Sequence, residues 1–90
     1  EDPKEGRVMT VYTDKPGVQL YTANGLAGAF VDSFGKDGAR YGNRDGYCLE
    51  TQLYPDTPNK PNFPNGLLKA GEEYHYTTIY EFSAKQVDVR

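Results

Sequence analysis

The sequence predicts an all-β chain of antiparallel strands. Segments with period-two alternation and many β-branched or aromatic residues recur along its 90 residues, with glycines and prolines between them. Only 17 residues are Leu, Val, Ile or Phe, which predicts a thin core, but eight tyrosines and a net charge of only -3 favour an ordered structure over a disordered one.

The first half of the chain predicts two strands and a long connection. The first strand is Arg7–Thr13, and Asp14–Gly17 offers Pro16 and Gly17 at the central positions of a type II turn. The second strand is Val18–Thr22. Residues 23–46 hold six of the ten glycines and one apolar island at 29–31, which predicts a structureless excursion. The glycines match no phosphate-binding fingerprint, and residues 32–38 lack the oxygen ligands of an EF-hand.

The second half predicts further strands around a proline loop. A strand over residues 47–52 is stopped by residues 55–64, which contain four prolines. A short strand is expected at Leu67–Lys69 and a turn at Ala70–Glu73. The strongest β pattern is residues 74–82, where one face carries a stripe of aromatic residues that we interpret as a core face.

Two residues stand out at strand positions. Glu50 lies on the more polar face of its strand, with Cys48 and Gln52, and Gln19 shares a face with Tyr21. From the residues alone, a glutamate or glutamine on a strand is more often solvated than functional. Spacing therefore leaves a solvated side chain as the favoured interpretation of both positions.

Other residue types exclude several classes of function. Ten basic residues against 13 acidic ones, without a basic cluster, argue against nucleic-acid or anionic-membrane partners. Cys48 is the only cysteine, so no intrachain disulfide forms, and we interpret it as a packed thiol; His75, the only histidine, is expected on the surface. Neither a membrane span nor a signal peptide is visible. A chain that begins after such a segment would look the same, so localisation stays open and a cytoplasmic setting is compatible.

The segment around Glu50 closely resembles the carboxy-terminal part of aldose 1-epimerases, also called galactose mutarotases. Residues 46–52 read Gly-Tyr-Cys-Leu-Glu-Thr-Gln, and the likeness extends over residues 7–83. Further matching residues are Thr13–Thr22, Pro55–Asp56, Asn59, Pro61–Pro64, Gly71–Glu72 and Thr77–Thr78. By this resemblance, residues 1–90 are a single segment, the carboxy-terminal part of an aldose 1-epimerase domain.

The resemblance implies a fold, a reaction and two site residues. The fold is a galactose-mutarotase-like β-supersandwich, of which this chain forms part. The reaction interconverts the α and β anomers of aldohexoses such as galactose and glucose, without a metal or organic cofactor. Glu50 matches the general base, and Gln19 matches a glutamine of the sugar site. The two histidines and the aspartate that the family also uses precede the matched segment, so the chain alone is expected to be nearly inactive.

The strands of such a segment need partners. We expect them in the upstream part of the same enzyme, in a second chain or in self-association. Two other hypotheses are a non-catalytic β module that binds carbohydrate through Gln19, Glu50 and tyrosines, and a purely structural strand-donating segment. The sequence does not choose among them.

Overall fold

The computed structural model describes residues 1–29 and 35–88 and divides the chain into two compact units. One unit comprises Glu1–Gly17 and Thr51–Arg90, and the other comprises Val18–Glu50. The strands are β1 (Arg7–Thr13), β2 (Gly17–Tyr21), β3 (Cys48–Gln52) and β4 (Thr78–Ala84). The only helical elements in the described ranges are α1 (Leu26–Ala29) and 3-10 turns at Lys36–Gly38 and Thr57–Asn59. The predicted all-β class with antiparallel strands is confirmed.

The first unit is built on a ladder between β1 and β4. The two strands are antiparallel, and their register runs from Arg7 opposite Ala84 to Thr13 opposite Thr78. The β-branched and aromatic residues of both strands suit this pairing. β1 is half-buried along most of its length, whereas β4 is exposed beyond Thr78. Within this pair β1 is therefore more buried than β4.

A turn at the amino terminus closes the first end of this ladder. The Asp2 carboxylate accepts hydrogen bonds from the backbone N–H groups of Lys4 at 3.0 Å and Glu5 at 3.3 Å. It also accepts one from the Arg7 guanidinium at 2.8 Å. The hydrogen bond from Arg7 holds the pKa of Asp2 below its usual value. Gly6 adopts a φ of 81°, and its carbonyl accepts a hydrogen bond from the Lys85 N–H at 2.7 Å.

The other end of the ladder is tied by side chains, and this corrects the predicted start of the last strand. The strand begins at Thr78 and not at residue 74 because its partner β1 ends at Thr13. Beyond that pair the Asp14 N–H still donates to the Thr77 carbonyl at 3.4 Å, but the Thr77 N–H donates to the Asp14 carboxylate at 2.9 Å, so a side chain takes the place of one backbone acceptor. Alternation in the sequence continued through this point and could not show where the partner strand ends.

The predicted type II turn between β1 and β2 is wrong. Gly17 lacks the positive φ that such a turn requires and is the first residue of β2. Instead the Thr13 hydroxyl accepts the Lys15 N–H at 3.1 Å, a turn organised by a side chain. Glycine is needed at position 17 for space: a Cβ there would lie 3.0 Å from the Tyr54 ring.

Two further expectations are corrected after β3. Leu67–Lys69 is not a strand, because the Asn65 side chain accepts the Leu67 N–H at 3.0 Å and so uses locally the donor that a sheet would need. Lys69 is engaged in the following turn, where its carbonyl accepts the Glu72 N–H at 3.0 Å. The proline loop does terminate β3, and its only regular structure is the 3-10 turn.

The glycine-rich excursion is not structureless in its described parts. Its two ends are joined, since the Ala23 carbonyl accepts the Arg44 N–H at 2.8 Å and the Asn43 side chain accepts the Ala27 N–H at 3.0 Å. Ala23 is 3 % exposed, the one buried apolar residue of the described chain. Residues 30–31 of the apolar island and residues 32–34 of the stretch tested against the EF-hand pattern lie outside the described residues.

Most large apolar and aromatic side chains of the described residues are exposed. The aromatic stripe interpreted as a core face is among them: Tyr76 is 38 % exposed and Phe82 is 74 % exposed. The accessible surface is 7772 Å², whereas a folded monomer of 10.1 kDa exposes about 5,300 Å². The core that the stripe predicts is therefore not formed by this chain alone.

Substituting alanine for Gly17 is expected to destabilise the fold by about 1 to 3 kcal/mol, because the new methyl group would crowd the Tyr54 ring and force it to move. Gly46→Ala is the matched control, since nothing lies within 4 Å of a Cβ at that position. Chemical unfolding followed by circular dichroism measures both. Equal unfolding midpoints for the two variants would contradict the proposed contact.

Candidate functional site

Gln19 and Glu50 lie on neighbouring strands, β2 and β3. A Cβ at Gly17 would lie 3.4 Å from the Gln52 carbonyl oxygen, so the first residue of β2 adjoins the last residue of β3, as in an antiparallel pair. From that shared end, Gln19 is two residues along one strand and Glu50 two residues along the other. The strand pair therefore brings the two predicted site residues to about the same level.

The Glu50 carboxylate is on the solvent side of β3. Glu50 is exposed, whereas its neighbours Leu49 and Thr51 are half-buried, as the period-two alternation predicts. Within residues 1–29 and 35–88 its carboxylate forms no hydrogen bond and no ion pair with another side chain. An ionised carboxylate accepts hydrogen bonds only, so a hydroxyl group is a suitable ligand.

Gln19 is also exposed and supplies both a carbonyl acceptor and an amide donor. Its neighbours along β2 are apolar, with Val18 52 % and Leu20 58 % exposed. These two side chains point to the opposite face of the strand, and Gln19 shares its own face with Tyr21, which is 46 % exposed. The strand thus presents hydrogen-bonding groups without a charge.

The remaining candidate groups are dispersed. Cys48 alternates with Glu50 on the same face of β3 and is exposed, so its interpretation as a packed thiol is wrong. The described residues leave its side chain open to solvent. His75 is exposed, as expected, in the segment before β4. No cluster of three His, Cys, Asp or Glu side chains that could hold a metal ion occurs among the described residues.

The proline loop forms a cleft that the sequence reasoning missed. It has a volume of about 720 Å³ and is lined by twelve residues between Leu53 and Leu67, among them Tyr54 and Phe63, whose rings are in edge-on contact at 5.2 Å between centroids. Asp56 accepts a hydrogen bond from Asn59 at 2.5 Å and pairs with Lys60 at 3.3 Å, which shapes the polar side. The available signal was the pair of aromatic residues Tyr54, which precedes the prolines, and Phe63, which lies between the last two of them.

In the part of the chain that the structure describes, no helix has the length and apolar character needed to cross a bilayer.

Comparison with known proteins matches this chain to one family. Residues 1–81 match the aldose 1-epimerase family. Galactose mutarotase from Bos taurus is 55% identical over 78 residues, and the human galactose mutarotase is 54% identical over 78 residues; each match covers 87% of this chain. Aldose 1-epimerase from Haemophilus influenzae is 40% identical over 76 residues, which is 82% of this chain.

These matches cover only a part of the relatives. The chain spans 22% of the length of the two mutarotases and 21% of the bacterial protein. The matched residues 1–81 nevertheless include β1, β2, β3, the proline loop and the start of β4. The resemblance stated from the residues is thereby confirmed, and the chain belongs to the aldose 1-epimerase family.

Proposed function

We propose that residues 1–90 are a single segment, the carboxy-terminal part of an aldose 1-epimerase domain. The whole protein would interconvert the α and β anomers of aldohexoses such as galactose and glucose. The observation that carries this proposal is the 55% identity to a galactose mutarotase over 87% of the chain. The all-β fold and the polar pair on β2 and β3 support it.

In this proposal Glu50 is the general base. Its carboxylate takes the proton from the hydroxyl on the anomeric carbon while an acid protonates the ring oxygen, and the bond between that oxygen and the anomeric carbon breaks. The resulting carbonyl group rotates and the ring closes on its other face, which returns both protons. The exposed carboxylate of Glu50, with no ion pair inside the described chain, supports this role.

Gln19 holds a sugar hydroxyl in the same proposal. Its side-chain amide can donate to one oxygen and accept from another hydroxyl, which fixes the orientation of the ring without transferring a proton. Its place on the strand next to β3 supports this division of roles. Glu50 would then affect mainly the rate of proton transfer, and Gln19 mainly the binding of the sugar.

The acid has to come from residues outside these 90. His75 is the only histidine of the chain and lies in the exposed segment before β4. The exposed apolar side chains of β2 and β4 offer surface for the upstream part of the same enzyme or for a second chain. Assembly with that part would supply both the acid and the missing core.

Replacing Glu50 by glutamine in the full-length protein is expected to lower the turnover number by about 100-fold or more while leaving the fold intact, because the amide keeps the size and removes the base. Polarimetry of freshly dissolved α-galactose measures the rate, and circular dichroism checks the fold.

Glu81→Gln is the matched control for this experiment. Glu81 is an exposed glutamate of β4 that has no role in the proposal, so the same chemical change is made at a residue outside the proposed site. Its turnover number should stay at the parental value. Parental relaxation of α-galactose by the Glu50 variant would rule out Glu50 as the base.

For Gln19→Ala we expect KM for galactose to rise about two- to tenfold with a smaller change in turnover number, since a neutral hydrogen bond contributes roughly 0.5 to 1.5 kcal/mol. Initial rates over a range of galactose concentrations separate the two constants. Gln86→Ala, at an exposed position near the carboxy terminus, serves as the control. A change confined to the turnover number would contradict a binding role.

The isolated 90-residue chain is expected to be associated and inactive. Its exposed apolar residues and open strand edges favour association, and the acid is missing. Light scattering gives the mass in solution, polarimetry against a buffer blank gives the rate, and adding the upstream portion should restore turnover.

A folded monomer of the isolated chain that accelerates sugar relaxation would overturn this expectation. It would also return His75 to consideration as the acid. Sugar affinity together with an inactive full-length protein would instead favour the non-catalytic carbohydrate-binding module.

A further inference from the structure

Thr51, the residue after Glu50 in β3, is held at two points. Its hydroxyl oxygen lies 2.7 Å from the hydroxyl oxygen of Thr78, a hydrogen-bond distance. Its carbonyl oxygen accepts a hydrogen bond from the Lys15 ammonium group at 3.5 Å. The side chain of Thr51 is therefore tied to the β1–β4 ladder through Thr78, and its backbone is tied to Lys15 in the turn that follows β1.

The Thr78 hydroxyl lies within hydrogen-bond distance of two other threonine hydroxyls. Its hydroxyl oxygen also lies 3.3 Å from that of Thr13, its partner in the ladder. The Thr13 oxygen in turn accepts the Lys15 N–H at 3.1 Å. These contacts allow a continuous chain of hydrogen bonds. The Lys15 N–H donates to the Thr13 hydroxyl, which can donate to the Thr78 hydroxyl, which can in turn donate to the Thr51 hydroxyl.

The ammonium group of Lys15 is itself fixed. It lies 5.5 Å from the centre of the Tyr76 ring and 5.7 Å from that of Tyr74, both within the range of a cation–π interaction. Lys15 is half-buried, so part of its stem is packed. The donor to the Thr51 carbonyl is thus restrained by aromatic rings as well as by the hydrogen bond.

We propose that Thr78 and Lys15 are positioning residues for Glu50, which they act on through Thr51. This inference rests on the proposed role of Glu50 as the general base. Successive side chains of a strand point to opposite faces, so fixing Thr51 towards the ladder sets the face on which its neighbour stands. Catalysis by a positioned base is sensitive to displacements of about 1 Å, which can cost up to roughly 100-fold in rate.

The test compares Thr78→Val with Thr78→Ser in the full-length protein, with galactose as substrate. Valine keeps the shape and removes the hydroxyl, so the turnover number should fall about tenfold with KM unchanged. Serine keeps the hydroxyl and should retain most of the turnover. Lys15→Met, which removes the ammonium group, should lower the turnover number in the same way.

Thr10→Val is the control. Thr10 lies in the same ladder opposite Glu81, and its hydroxyl forms no hydrogen bond within the described residues. Its turnover number should be parental. All rates are measured well below the melting temperature of each variant, so loss of folded protein does not imitate loss of turnover.

A double-mutant cycle separates positioning from a general structural effect. If Thr78 acts through Glu50, adding Thr78→Val to Glu50→Gln should slow the residual reaction little further. Effects that multiply in the double variant would overturn the inference, and so would a Thr78→Val enzyme with parental turnover. The base assignment fails separately, if Glu50→Gln alone keeps the parental rate. If Thr78→Val folds poorly, the turnover numbers of Thr78→Ser and Lys15→Met, alone and combined with Glu50→Gln, test the inference in its place.

Discussion

The structure depends on one long-range pairing, in which the strand near the beginning of the chain meets the strand near its end. Thr13 and Thr78 are 65 residues apart and are partners in that ladder. Closing so large a loop costs entropy that a two-stranded ladder offsets poorly by itself. The hydrogen bonds at the two ends, from the Lys85 N–H to the Gly6 carbonyl and between the hydroxyl groups around Thr78, therefore add to a ladder that is weak by itself.

The second constraint is an open edge on every strand that the structure describes. β1 pairs with β4 and β2 with β3, so each described strand has one partner. Phe82 is 74 % exposed and Ile79 54 % exposed, although they stand on opposite faces of β4. A strand that is apolar on both faces is typical of the inside of a layered fold. Unpaired edges and uncovered faces both support the proposal that other segments pack against these strands.

The sequence predicted strand positions better than it predicted their limits. The bounds of β1 follow from its local composition, and β3 stops before the prolines as expected. The alternation pattern gave wrong strand limits where a side chain accepts a backbone N–H that a neighbouring strand would otherwise accept. Asp14 accepts the N–H of Thr77 in this way, and Asn65 accepts that of Leu67. For the candidate site, alternation gave the exposed face of Glu50. It could not give the contacts of Thr78, because these join residues remote in sequence.

Burial of apolar side chains determines the stability of the domain, whereas the proposed base depends on the placement of a single exposed side chain. A carboxylate on a strand is placed by backbone geometry, so loss of the Glu50 side chain would remove chemistry without removing packing. In the proposed assembly, loss of an apolar side chain such as Phe82 would weaken the association with the segment that carries the acid, and activity would decline together with folding. In a site assembled from distant segments, each proton-transfer group can sit on a locally stable element, while their relation depends on the apolar surface between the segments. In that proposal the exposed aromatic side chains of β4 contribute to turnover by packing against the upstream segment, whereas the carboxylate of β3 contributes by transferring a proton.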